Sequence, residues 1–125
     1  MSGNHVSGIG GIFFRAADPK ALSAWYRTHL GIDPVNSVWM QEGGPTVFEP
    51  FPEDTDYFGD RSRQWMINFR VRDLDGLLNA LRAAGIAVET RAGWDDPQVG
   101  RFARIHDPEA NPIELWEPAA VAGSS

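Results

Sequence analysis

The sequence predicts an α+β fold in which two similar units, each a strand, a helix and two or three further strands, curve their sheets around one concave face. Three observations predict it. The chain has 125 residues, 42% of them apolar, and no cysteine, enough to bury one domain's core without disulfides and too little for a large multidomain enzyme. The stretch IFFRAADPKALSAWYRTHLGI (12–32) shares its order of parts with INFRVRDLDGLLNALRAAGI (67–86): an apolar run, Arg, Asp, then an amphipathic segment closing on Gly-Ile. The echo continues in TVFEP (46–50) and ELWEP (114–118), and matching pieces in one order read as an internal repeat.

In the first unit, residues 9–51, Ile12, Phe14 and Ala16 alternate with Phe13, Arg15 and Ala17, the period of a strand with unlike faces. Asp18 supplies an N-cap oxygen and Pro19 suits the first helical position. Leu22, Trp25, Tyr26 and Leu30 then follow at helical spacing to Gly31, which is placed to end the helix in a left-handed turn. Residues 38–41 and 46–51 read as strands joined through Glu42, Gly43 and Gly44. Residues 52–64, acidic and polar, read as an exposed connector.

The second unit, residues 65–118, repeats the logic. Ile67, Phe69 and Val71 alternate with Met66, Asn68 and Arg70; Asp73 caps; Leu74, Leu77, Leu78 and Leu81 form a buried stripe; Gly85 stops it. Residues 88–90, 100–106 and 112–117 read as strands, the last two joined by the turn-forming DPEAN (107–111). The tail, residues 119–125, reads as frayed.

Charge and patterning exclude some functions and locate a candidate site. A net charge of −6 repels phosphate backbones, so nucleic acid is not an expected partner. No apolar run is long enough to span a bilayer and the first residues, MSGNHVSG, lack a signal-peptide pattern, so a cytoplasmic protein without a membrane partner is expected. The uniformly apolar positions Ile12, Phe14, Ile67, Phe69 and Val71 should face the helices. By alternation Phe13, Arg15, Asn68 and Arg70 then share the concave face, with Glu114 and Trp116 of the last strand and Phe48, the repeat equivalent of Trp116. That mixture of aromatic and polar groups suits a small-molecule site. Trp25 is expected in the core.

The stretch DPKALSAWYRTHLGI (18–32) and the ending DPEANPIELWEP (107–118) resemble the vicinal oxygen chelate superfamily, which includes glyoxalase I, the bleomycin resistance proteins and extradiol dioxygenases. The resemblance runs from about Ile9 to Pro118. It implies a single domain over residues 1–125 of two paired βαβββ modules, a curved mixed sheet with a cleft, and a homodimer that often completes the cleft. Where the family commonly has Gly in the final turn this chain has Ala110, and Asn111 is available for a left-handed conformation.

Metal-dependent members hold one divalent ion with four side chains. The equivalent positions here are Gly11, Thr46, Met66 and Glu114, and only Glu114 is a competent ligand; Glu49 would replace Thr46 only if the strand slipped. A catalytic ion needs about three protein donors, so a metal-free protein without a cofactor is expected, binding a small molecule between its modules. Glu114 is then a relic of the metal site, an ion-pair partner of Arg15 or Arg70, or a catalytic proton-transfer group. Arg15 and Arg70, at equivalent repeat positions, fit an anionic ligand, whereas an acidic chain with an aromatic cleft fits a cation, and the sign stays open. The alternatives are a metal-dependent lyase or isomerase of the glyoxalase I type, a dioxygenase-like enzyme, and a structural interaction module whose cleft is filled by its own side chains.

Overall fold

The computed structural model describes residues 5–120; of the expected frayed tail, residues 121–125 lie outside the described residues. Helix α1, Pro19–Leu30, starts where Asp18 accepts a hydrogen bond from the Ala21 amide (3.1 Å), with Pro19 in the first turn. It ends at Gly31, whose φ of 70° lies in the left-handed region, and the amides of Gly31 and Ile32 close onto the carbonyls of Arg27 and Tyr26. Strand β1, Ile67–Arg70, leads through Asp73 into helix α2, Leu74–Ala83. Asp73 accepts from the Gly76 amide and Glu117 from the Leu74 amide (2.7 Å), so the last strand caps the helix that packs on it. A short 3-10 turn, Ala92–Trp94, precedes strands β2, Gly100–His106, and β3, Pro112–Pro118.

The sheet has the order β1-β3-β2, with β3 parallel to β1 and antiparallel to β2. The molecule is thus a small α+β protein with an open, mixed sheet. Ala103, Ile105, Ile113 and Leu115 point from one face onto Leu74, Leu78 and Leu81 of α2 and onto Leu22 and Tyr26 of α1. Ile67, Phe69 and Val71 pack against this core, as their alternation predicts. Gly100 sits where a Cβ would lie 2.2 Å from the Glu117 carbonyl, so only glycine lets β2 begin against the end of β3.

Several expectations are corrected. Residues 12–17, 38–41 and 46–51 join no ladder; the first unit contributes only an isolated bridge between Val35 and Val38. Ile12 is exposed instead of facing the helices, whereas Phe14, though 39% exposed, does meet the Tyr26 ring of α1 edge-on with centroids 6.3 Å apart. The physical reason is that alternation reports only a preference for extended backbone, while a ladder needs a partner edge. Residues 42–46 are tied to β1 by the Arg70 side chain, which donates to the carbonyls of Pro45 and Glu42 (both 2.6 Å), not by backbone pairing. The 88–90 strand shrinks to one bridge, Glu89 with Arg104. Leu77 and Trp25 are half-buried, at the margin of the core. In the 107–111 turn it is Ala110 itself, with φ 67°, that takes the left-handed conformation, and Asn111 does not.

That turn is a hub. The Asp107 carboxylate accepts from the Asn111 amide and side chain and, at 2.7 Å, from the Tyr26 hydroxyl, whose acidity is suppressed first by burial and then by this bond. Glu109 accepts from the amides of Ala17 and Asp18, fastening the entry of α1 to the sheet. No helix among the described residues is long and apolar enough to cross a membrane.

Candidate functional site

The register of the three strands builds the face of the sheet that the helices leave open. Asn68 stands opposite Glu114 and Arg70 opposite Trp116 across the parallel pair, while Arg104 is opposite Glu114 and Phe102 opposite Trp116 across the antiparallel one. Because side chains alternate, these six share one face. Of the residues expected at the site, Asn68, Arg70, Glu114 and Trp116 are therefore brought together. Phe102 and Arg104 join them unanticipated, although the alternation within residues 100–106 carried the signal.

Glu114 is 9% exposed and both its oxygens are occupied. Asn68 Nδ2 donates to Oε1 at 2.8 Å and the Tyr57 hydroxyl donates to Oε2. Tyr57 comes from the connector, which is therefore packed onto the sheet at this point and not simply exposed. Its ring stacks on Phe51, with centroids 5.8 Å apart, and its hydroxyl is pushed up to about 12, by burial first and then by the Glu114 carboxylate, against an opposing effect of Arg104. No sequence pattern pointed to Tyr57, since a loop has no period to read.

Arg104 is 6% exposed. Its guanidinium lies 4.7 Å from the centre of the Tyr57 ring and 5.6 Å from that of Trp94, and its Nε has no hydrogen-bond partner among the described residues. The ion pairs among those residues, Arg72–Glu42, Arg91–Glu89 and Arg101–Asp75, lie on the surface and include neither Arg104 nor Glu114. The expected ion pair between Glu114 and Arg15 or Arg70 is absent: Arg70 is spent on residues 42–46, and neutral donors hold the carboxylate. Trp116 is locked beside them, its indole N–H donating to the Val99 carbonyl and its ring parallel to Phe102.

Three expected site residues lie elsewhere. Phe13 and Phe48 are 94% and 87% exposed, and Arg15 lines a separate cavity with Phe13. The cause is again the missing ladder, without which alternation does not aim a side chain. At the four positions equivalent to a metal site, Gly11 has no side chain, Met66 offers a thioether, the Thr46 hydroxyl accepts from Arg70, and Glu114 has both oxygens engaged. Among the described residues no three His, Asp or Glu cluster to hold an ion. This donor set does not fit a divalent cation.

A family profile described as a glyoxalase-like domain matches residues 11–116. Among solved structures, one similar in fold is TnmS3, an antibiotic binding protein from Streptomyces sp. CB03234, with a TM-score of 0.58 and 21% identity over 93% of this chain and 99% of that one. No curated protein matches the chain significantly. With the profile spanning nearly all the described residues, the chain belongs to the glyoxalase-like domain family, within the vicinal oxygen chelate superfamily.

Proposed function

We propose that the chain binds a small molecule, without a metal ion, against the open face of the sheet around Glu114 and Arg104. One observation carries this reading: a buried carboxylate and a buried guanidinium stand opposite each other in register, yet they are not paired and the guanidinium keeps an unpartnered N–H. Buried charges are costly unless paired, so an arrangement serving stability alone would join them. Aromatic walls with a few fixed polar groups are the usual makeup of a ligand site, and a relative in fold that binds an antibiotic supports the same reading.

The reading extends to assembly. The sheet's outer strand β1 has an edge with no partner among the described residues, and Met40, Val47 and Phe48 are strongly exposed along the extended first unit. A second copy would cover them and give residues 38–51 a partner edge. One observation favours a second reading, a structural interaction module: Tyr57 already covers Glu114.

A thermal-shift panel of aromatic antibiotics on chelator-treated protein separates the two. Ligand binding predicts that at least one compound stabilises the chain, by about 2.7 kcal/mol at a hundredfold excess over Kd, and that Glu114→Gln and Arg104→Met abolish the gain. A panel without any stabilisation favours the structural module.

A further inference from the structure

Where β1 and β3 begin, an open cavity of about 560 Å³ is lined by Phe13, Phe14, Arg15, Arg63, Trp65 and Asn111. It shares no residue with the constellation of Tyr57, Asn68, Arg104 and Glu114. Because β1 and β3 are parallel, Trp65 and Asn111, each just before its strand, come to the same end of the sheet. Phe14 meets the Trp65 ring edge-on with centroids 5.4 Å apart, which fixes an aromatic wall.

The charges of this cavity are not balanced. Arg63 donates to Asn111 Oδ1 at 3.3 Å and to the Glu109 carbonyl at 3.2 Å, both neutral acceptors. Asn111 is itself buried and held by Asp107, so Arg63 is oriented by a rigid turn. Arg15 has neither a hydrogen bond nor an ion pair to any described residue. No carboxylate is among the lining residues, and the nearby Glu109 carboxylate is turned to the amides of Ala17 and Asp18. Two guanidinium groups without a salt bridge thus border one aromatic cavity in a chain whose net charge is −6; the Asp60 carboxylate near Arg63 accepts instead from the Ser62 amide and is not among the lining residues.

We infer that this cavity binds an aromatic carboxylate, its anionic head between Arg15 and Arg63 and its ring against Phe13 and Trp65. A guanidinium presents planar, paired N–H donors that match a carboxylate. The aromatic walls add stacking area that inorganic phosphate would not use. This inference is independent of the ligand proposed at the Glu114 face.

Isothermal titration of the full chain with 2-naphthoate and with its neutral isostere 2-naphthamide tests the inference. The acid is expected to bind about tenfold or more tighter than the amide. Arg15→Met and Arg63→Met should each erase most of that preference, whereas Arg82→Met, on the exposed side of α2, should leave it intact. Arg63 also holds the turn, so if Arg63→Met fails to fold, the exposed Arg15→Met decides alone. Equal binding of acid and amide, equal losses in the Arg15 and Arg82 variants, or no saturable binding of naphthoate below about 10 mM would each overturn the assignment.

Discussion

Glu114 and Tyr57 form a contact in which a phenol is kept protonated first by its burial and then by the carboxylate it serves. The Tyr57 hydroxyl is raised from 10.0 to about 12 in the folded chain, so its contribution to stability is complete below pH 10 and is lost as pH rises through about 12. Wild-type protein should lose stability across that window more steeply than Tyr57→Phe. Glu114→Gln keeps the shape but removes the charge, and should let the Tyr57 phenolate appear at lower pH in an ultraviolet titration; an unchanged titration would contradict the contact. Asn68 and Glu114 were legible in the sequence because their strands form and period two then fixes their face. Phe13, Arg15 and Phe48 followed the same rule on segments with no ladder, and the rule failed there. Tyr57 reached the site from a connector where no period operates, and Arg104 was legible but sat in a strand whose faces were not followed.

The helices were the most legible elements, because their signals are local: a capping Asp, a stripe at helical spacing and a closing Gly. Strand existence depends on tertiary partners, which explains why β2 and β3, adjacent through a five-residue turn, were read correctly while the first unit's strands were not. Within α2 the spacing of Leu74, Leu78 and Leu81 points straight into the core, and Leu77 lies at its margin. Leu78→Ala should therefore cost about 2 to 5 kcal/mol in urea unfolding, and Leu77→Ala clearly less; equal costs would mean the helix is rotated from the position described. The β2–β3 turn carries local strain, since Ala110 has φ 67°. Ala110→Gly should relieve it and stabilise the chain by about 1 kcal/mol in the same assay, an increase that no loss of contact could produce.

At the scale of the whole molecule, the C-terminal half holds the sheet and most of the core, and the first unit leaves large apolar side chains in water. Exposed surface of that kind calls for a partner. Light scattering at tens of micromolar should give the mass of a dimer, and Phe48→Ser with Val47→Ser should shift it toward the monomer; monomer mass for the unaltered chain would remove the dimer from the account. The sequence repeat led to the expectation of two units, but a repeat reports common pattern and not that both copies close their ladders in one chain. The central claim is that a small molecule binds at the open sheet face without metal, and it is tested most directly by following the tryptophan indole N–H signals in an NMR titration. With chelator present and a stabilising antibiotic from the panel added, the signals of Trp94 and Trp116, which flank Arg104 and Glu114, should move together while that of Trp25, on α1, stays in place. Movement of Trp25 alone, or binding that appears only when a divalent metal replaces the chelator, would contradict it.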